Sequence, residues 1–225
     1  MLTGVFGCGK TVIGQALLEK LPSDKYKIAF ITNPQLEYVE LLRAVVRNLK
    51  SVELPIKKSE LSADYLLEIL GNILENNARD GTETVIIIDE AHIIKDEYIF
   101  EELRLLLNFQ RRDKFLLTLL LFGQPELKQR IEDNKQLEQR IAIKSHLEAF
   151  NQQDTRNYII HRLRVAGGAD SIFEESTFKI IHNRSGGIPR RINRICDLSL
   201  LVGLNKDVKR IGQQTVEEGL QILGG

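Results

Sequence analysis

The sequence predicts an α/β fold in which a parallel β-sheet is sandwiched by helices and followed by a small all-helical part. Over the first two thirds of the 225-residue chain, short apolar runs typical of buried strands alternate with segments of helical periodicity. After about Ala149 the strand pattern stops, and only helical patterns separated by paired glycines remain. We therefore expect an α/β core over residues 1–149 and a helical domain over residues 150–225.

The elements of the core follow from apolar periodicity and from the residues that end each run. The first helix is expected over 11–21, before Pro22, and the next strand over 27–32, before Asn33 and Pro34. Residues 85–88 are all apolar, as in a strand buried on both faces of a parallel sheet. The remaining core elements are helices over 36–49, 62–76, 96–110, 126–132 and 135–140, and strands over 115–122 and 141–147. The helical domain has predicted helices over 153–165, 174–183, 188–204 and 213–223.

The first strand is unusually short, because only Met1, Leu2 and Thr3 precede Gly4. We expect the sheet to lack most of its central strand as a result. A truncated product and a start codon assigned too late are both consistent with this pattern.

A phosphate-binding loop lies between the first strand and the first helix. Residues 4–11, Gly-Val-Phe-Gly-Cys-Gly-Lys-Thr, fit the pattern G-x-x-x-x-G-K-[ST]. Glycines let backbone N–H groups curl around a phosphate, Lys10 reaches the β- and γ-phosphates, and the Thr11 hydroxyl is a ligand for Mg²⁺. We therefore expect ATP and Mg²⁺ as ligands. The loop residues expected to bind ATP are Gly4, Gly7, Cys8, Gly9, Lys10, Thr11 and Val12.

A pair of acidic residues, Asp89 and Glu90, follows the apolar strand over 85–88. Open α/β sheets bind ligands at the carboxyl ends of their strands, so these carboxylates should lie near the phosphates. Asp89 is expected to hold Mg²⁺ together with Thr11, and Glu90 is the candidate general base for the attacking water. The alternative is that both acids only begin the next helix.

Composition is that of an ordinary soluble protein, with a net charge of zero and 43% hydrophobic residues. No apolar run reaches the ~20 residues of a membrane span, and no signal peptide precedes the loop. Two isolated cysteines, Cys8 and Cys196, favour a reducing cytosol. The four scattered histidines are expected to be structural or solvated; they are His92, His146, His161 and His182. The helical domain is only slightly basic. The core has no recognisable helix-turn-helix, basic stripe or aromatic stacking platform, so direct nucleic-acid binding is not expected.

The motifs together resemble those of the ExeA/GspA-type AAA+ ATPases, which serve bacterial type II secretion and related surface-fibre systems. The resemblance covers nearly the whole chain. Its most specific strings are those over residues 122–127 and 185–193. The strings are Gly7-Cys8-Gly9-Lys10-Thr11, Asp89-Glu90-Ala91-His92, Leu137-Glu138-Gln139-Arg140-Ile141, Phe122-Gly123-Gln124-Pro125-Glu126-Leu127 and Ser185-Gly186-Gly187-Ile188-Pro189-Arg190-Arg191-Ile192-Asn193. The resemblance implies an AAA+ fold whose helical domain is a lid.

Three further roles are implied by this resemblance. Gln124 takes the place of a polar sensor of the γ-phosphate, although turn formation before Pro125 also explains it. Arg140 takes the place of an arginine finger that reaches a neighbouring subunit, or is merely a cation at a helix end. Arg190 takes the place of the second sensor in the lid, with Arg191 as the other choice; the alternative is that both are solvated.

The resemblance also implies partners and location. An arginine finger that acts between subunits requires a homo-oligomer, whose assembly could depend on nucleotide. A secretion-system protein is the expected partner, in the cytoplasm or at the periphery of the inner membrane. Members of the family usually continue into a membrane span and a cell-wall-binding region, and we expect neither in this sequence. Two other interpretations stay open: an ATPase that regulates a DNA recombinase in transposition, and an inactive fragment.

Overall fold

The computed structural model describes residues 1–49, 62–112 and 114–224. The chain forms two compact units, and each is described by itself below. The first contains Met1–Gly4 and Lys10–Leu147, and the second contains Val5–Gly9 and Glu148–Gly225. The five loop residues Val5–Gly9 thus group with the helical part, which no sequence pattern indicates.

A five-stranded parallel sheet organises the first unit. The strands lie in the order β2-β3-β6-β1-β7. They are β1 (Leu2–Gly4), β2 (Tyr26–Ile31), β3 (Glu83–Ile88), β6 (Leu117–Gly123) and β7 (Ser145–Leu147). Ile88 of β3 lies beside Ile31 of β2 and Leu121 of β6, so these three strands end along one edge. The residues that follow β3 and β6 are therefore neighbours in space.

Helices cover both faces of this sheet. They are α1 (Lys10–Lys20), α2 (Tyr38–Asn48), α3 (Ala63–Arg79), α4 (Glu97–Leu106), α5 (Glu126–Asp133) and α6 (Lys135–Glu138). Alternate residues of a strand point to opposite faces. Ile86 and Ile88 accordingly join the large core with helices α2 to α6, whereas Val85 and Ile87 join a smaller core that includes Leu17 of α1. This packing explains the continuous apolar run of β3.

The predicted strand over 115–122 begins later than expected. Lys114–Phe115 (β5) pairs instead with Gln110–Arg111 (β4) in a small antiparallel ribbon, where Phe115 is exposed. The helix predicted to reach residue 110 ends at Leu106, because the chain turns there into the ribbon. An apolar side chain next to a strand is not enough to extend the strand when the backbone pairs elsewhere.

The last strand is also shorter than predicted. Instead of spanning 141–147, it contains only Ser145–Leu147, because β1 offers partners only for these residues. We expected the sheet to lack most of its central strand, and this expectation is wrong. Its middle position belongs to β6, which has seven residues, and the short β1 lies between β6 and β7.

Four helices build the second unit. They are α7 (Gln152–Val165), α8 (Glu175–Ser185), α9 (Pro189–Asn205) and α10 (Gln213–Gly224). Their apolar sides meet in a core of buried residues that includes Phe178, Ile192 and Val216. Burial, and then the charge of Asp197, raises the pKa of the Cys196 thiol in α9 to about 12. Across the described residues of both units, no helix is long and apolar enough to cross a membrane.

Candidate nucleotide-binding site

The predicted phosphate-binding lysine is buried at the carboxyl end of β1. Lys10 is 4% exposed, and its ammonium group donates a hydrogen bond to the Gly4 carbonyl at 2.7 Å. Gly4 pairs with Leu147, and a Cβ at Gly4 would lie 2.9 Å from the Leu147 carbonyl oxygen. Glycine is therefore required here by the close approach of two strands. The positive charge of Lys10 therefore lies beside Gly4, where the phosphate-binding loop begins.

The two predicted Mg²⁺ ligands are in direct contact. The Thr11 hydroxyl at the start of α1 donates to Oδ2 of Asp89 at 2.5 Å. The other carboxylate oxygen accepts the Glu90 backbone N–H at 2.9 Å, and Asp89 is 2% exposed. Mg²⁺ in proteins prefers oxygen ligands, with one or two carboxylates supplemented by waters and substrate phosphates. The hydroxyl and carboxylate oxygens of this pair fit that preference.

Glu90, the predicted general base, has an uncommon backbone conformation. Its φ of 53° and ψ of 32° lie in the left-handed region. For a residue with a Cβ this conformation costs on the order of 1–2 kcal/mol. The chain turns sharply away from the direction of β3 immediately after Asp89. The Glu90 side chain is 29% exposed. Strained backbone conformations of this kind cluster at functional sites.

His92 contacts two of the predicted site residues. Its Nδ1 lies 3.4 Å from Oε2 of Glu90 and accepts the Gln124 backbone N–H at 3.3 Å. Its Nε2 lies 2.9 Å from the side-chain nitrogen of Gln124. Gln124 directly follows β6, so the adjacency of β3 and β6 brings these groups together. The ring is only 12% exposed.

Arg130 of α5 fixes the segment that carries His92. Its guanidinium donates to the carbonyls of His92 and Ile94 and to the carboxylate of Glu97. It also lies over the ring of Phe100, 4.9 Å from the centroid. Neither His92 nor Arg130 was among the residues predicted for the site. The order of β3 and β6 would have indicated His92, whereas no sequence signal indicates Arg130.

The middle of the phosphate-binding loop is described with the second unit. Gly7 and Gly9 have φ angles of 89° and 106°, which favour glycine, and Cys8 between them is buried. The Arg190 backbone N–H donates to the Gly7 carbonyl at 3.3 Å, and the guanidinium lies 4.6 Å from the Phe6 ring centroid. Of the two predicted lid arginines, Arg190 is thus the one in contact with loop residues.

The two remaining predicted residues, Val12 and Arg140, are exposed. Val12 is 64% exposed on α1. Arg140 is also exposed, and it donates to Oδ1 of Asn108 at 3.3 Å. The helix predicted to end at Arg140 ends two residues earlier, at Glu138. Among the described residues, Arg140 helps to line a largely apolar cavity of about 330 Å³ beside β6, and Asp89 is not part of that lining.

Sequence comparison gives the family. Residues 1–131, more than half of the chain, match the family model of the AAA domain. The chain belongs to the AAA domain family. General secretion pathway protein A of Aeromonas hydrophila is 37% identical to this AAA domain protein over 214 residues, which is 94% of the chain. The expected resemblance to ExeA/GspA-type ATPases is confirmed, although the chain spans 38% of that relative.

Structural comparison concerns the fold. Cdc6p of Pyrobaculum aerophilum superimposes with a TM-score of 0.76 at 18% identity. The match covers 97% of this chain and 59% of Cdc6p. The ADP form of the ORC2 protein of Aeropyrum pernix has a TM-score of 0.70 at 20% identity, covering 98% of the chain and 61% of ORC2. At these identities the likeness concerns the fold alone. The predicted α/β fold with a helical C-terminal part is confirmed.

Proposed function

We propose that the chain binds ATP and hydrolyses it to ADP and phosphate. The observation that carries the proposal is the 2.5 Å contact between Thr11 and the buried Asp89, beside a buried Lys10. A nucleotide-binding protein of the AAA family needs a cation for the phosphates and oxygen ligands for a metal ion at one place. The three side chains supply both at the end of the sheet.

In the proposed mechanism, the backbone N–H groups of the loop and the ammonium of Lys10 hold the β- and γ-phosphates. To do so, Lys10 exchanges its hydrogen bond to Gly4 for the phosphate oxygens. Glu90 accepts a proton from the water that attacks the γ-phosphorus. Gln124 contacts the γ-phosphate or this water, and Arg190 contacts the nucleotide. These two roles stay proposals.

Thr11 and Asp89 would hold Mg²⁺ in this mechanism. The ion, when bound, neutralises charge on the β- and γ-phosphate oxygens. Before nucleotide arrives, the Thr11 hydroxyl donates a hydrogen bond to one oxygen of the buried Asp89 carboxylate. The same two oxygens are then available together when the ligand enters.

Two substitutions test this function. Lys10→Ala should remove ATPγS binding in calorimetry, because the buried cation is lost. Glu90→Gln should keep ATPγS affinity within about threefold and lower ATP turnover by on the order of 10² or more, since an amide is not a general base. Lys20→Ala and Glu126→Gln, at exposed positions, are the matched controls. Normal turnover by Glu90→Gln would show that the base is another group.

The wider role is proposed from the similarity to general secretion pathway protein A. We place the chain in the cytoplasm, as an oligomeric ATPase that works with a secretion-system protein at the inner membrane. The test is a Lys10→Ala codon change in the native gene, with immunoblots to confirm protein levels. Loss of secreted proteins from the medium is expected, and unaltered secretion would contradict the assignment.

A further inference from the structure

Among the described residues, no carboxylate is paired with the charge of Arg140. Its exposed guanidinium donates to the amide oxygen of Asn108 at 3.3 Å, and this acceptor is neutral. Arg164 differs, because its equally exposed guanidinium lies 2.5 Å from a carboxylate oxygen of Asp170. The positive charge of Arg140 is therefore available to an anion from outside the chain.

A carboxylate close to Arg140 in the sequence is occupied by other partners. Glu138 is two residues away, and because consecutive Cα atoms are 3.8 Å apart, the two Cα atoms lie within about 8 Å of each other. Glutamate and arginine side chains are long enough to meet across that distance. Glu138 instead accepts from Lys144 at 2.6 Å through one carboxylate oxygen and from Lys135 at 3.1 Å through the other.

The two lysines compensate the negative charge of Glu138. Their hydrogen bonds, that from Lys144 above all, lower the pKa of the Glu138 carboxyl below its ordinary value, so the group is ionised at neutral pH. An ionised glutamate without these partners attracts a nearby guanidinium, which is always protonated and binds carboxylates through two parallel hydrogen bonds. The lysines thus decide whether Glu138 competes for Arg140.

We propose that Lys135 and Lys144 are positioning residues that keep the Arg140 guanidinium free to bind the γ-phosphate held by a second copy of the chain. They occupy the Glu138 carboxylate, which would otherwise hold Arg140 on its own subunit. Asn108 serves the same purpose, because its amide oxygen orients the guanidinium without neutralising it. This inference deepens the proposed function and rests on it, since it requires an oligomer in which Arg140 is an arginine finger.

Substituting both lysines tests this role in ATP turnover. In Lys135→Gln/Lys144→Gln, the unpaired Glu138 should hold Arg140. If it does so about nine-tenths of the time, kcat falls roughly tenfold, with ATPγS affinity within threefold. Adding Glu138→Gln to this variant should restore kcat to within about twofold of the wild type, because no carboxylate is left to compete. Glu138→Gln alone should keep the kcat of the wild type for the same reason.

The effect of Glu138→Gln separates positioning from structural support. If the cluster only supported the fold, Glu138→Gln would lower kcat as much as the loss of the lysines and would rescue nothing. Lys20→Gln/Lys128→Gln removes two other exposed lysines and is the control, with wild-type kcat expected. Melting temperatures should stay near that of the wild type, because exposed ion pairs contribute little to stability. Normal kcat without Lys135 and Lys144, or no rescue, would overturn the proposal.

An isosteric substitution of Asn108 gives an independent test. Asn108→Asp puts a carboxylate where the amide oxygen contacts Arg140, so kcat should again fall roughly tenfold. Asn108→Ala removes only one exposed hydrogen bond, and its kcat should stay within about threefold of the wild type. Equal kcat values for the two variants would contradict the need for a neutral acceptor.

Mixing subunits shows where the defect of Asn108→Asp acts. The Asn108→Asp subunit keeps its own base, and the Glu90→Gln subunit keeps a free Arg140. Excess Glu90→Gln protein should therefore raise the turnover of Asn108→Asp protein, whereas no increase would place the defect in the subunit's own site and overturn the proposal. A wild type that does not hydrolyse ATP, or normal turnover in Arg140→Ala, would instead refute the proposed function or its arginine finger.

Discussion

At the scale of single residues, the contact between Thr11 and Asp89 is the most informative pair in the first unit. The carboxylate is almost fully buried, and each of its oxygens has one donor. A buried carboxylate without partners is strongly disfavoured, so the pair is held in place before any ligand arrives. The geometry makes the Thr11 hydroxyl, rather than its methyl group, the functional part of the side chain.

Thr11→Ala should therefore weaken ATPγS binding at least tenfold in the presence of Mg²⁺, which corresponds to about 1.4 kcal/mol. In EDTA the same substitution should change affinity by less than threefold, because the hydroxyl acts through the metal ion. Calorimetry in the two buffers measures the difference. Thr11→Ser, which keeps the hydroxyl, is the control and should bind like the wild type. An equal loss in both buffers would argue against a metal ligand.

Residue identities in the site were predictable where a motif states the chemistry. Lys10, Thr11 and Asp89 lie together because a G-x-x-x-x-G-K-[ST] loop and an acid-ended strand impose that arrangement. The left-handed backbone of Glu90 was not predictable, since nothing in the sequence distinguishes it from an ordinary helix start. His92 was expected to be structural or solvated, and its contacts with Glu90 and Gln124 depend on strand order rather than on spacing.

At the scale of elements, helix α5 stabilises the segment after β3 through one arginine. Arg130 donates to the carbonyls of His92 and Ile94 and also contacts Glu97 and Phe100. The position of His92 thus depends on a helix that begins after β6. Gln124 directly follows β6, and the helix that carries Arg130 begins soon after it. The contacts of His92 with Glu90 and Gln124 therefore depend on the end of β6.

Arg130→Ala should lower the free energy of unfolding by about 2 kcal/mol, because it leaves partly buried carbonyls without these donors. It should also reduce ATP turnover, because the segment that follows Glu90 loses its support. Urea denaturation gives the first quantity and a phosphate-release assay gives the second. Lys128→Ala on the same helix removes only an exposed ion pair and should stay within about 0.5 kcal/mol of the wild type. Equal effects of the two substitutions would contradict the role of Arg130.

Element boundaries were predictable where residues that end a strand or helix follow in the sequence. They were not predictable where hydrogen bonding to a neighbouring strand sets the boundary. Strand β2 ends close to the predicted position because Asn33 and Pro34 follow it. Strand β7 is shorter than its apolar run, because a strand exists only where a neighbour offers hydrogen-bond partners, and β1 offers them from Ser145 onwards. Partner availability is a property of the whole sheet and cannot be read from the run itself.

At the scale of the whole molecule, the fold class and the family followed from the sequence. The grouping of the loop residues Val5–Gly9 with the helical unit did not. The Ser185-Gly186-Gly187 turn and Pro189 predicted the start of α9. That the Gly7 carbonyl accepts the Arg190 N–H is a contact between residues far apart in the chain. Local propensities do not encode such contacts, and here only the resemblance to relatives indicated a role for Arg190.

The proposed oligomer gives Arg140 a role that its surroundings within one chain do not. It is exposed, and it donates a hydrogen bond to Asn108. If it is an arginine finger, its target is the γ-phosphate on another subunit. Arg140→Ala should then lower turnover by at least 10² without changing ATPγS affinity, since arginine fingers contribute about 10³–10⁵. Arg111→Ala, an exposed arginine of the ribbon, is the control.

Mixing two inactive variants decides whether Arg140 acts between subunits. The Glu90→Gln protein lacks the base and keeps the finger, whereas the Arg140→Ala protein keeps the base. In a mixed oligomer, some sites combine Glu90 of one subunit with Arg140 of the next, so turnover should reappear on mixing and increase with total protein concentration. A role within one chain predicts no recovery at any ratio, because every subunit then carries its own defect.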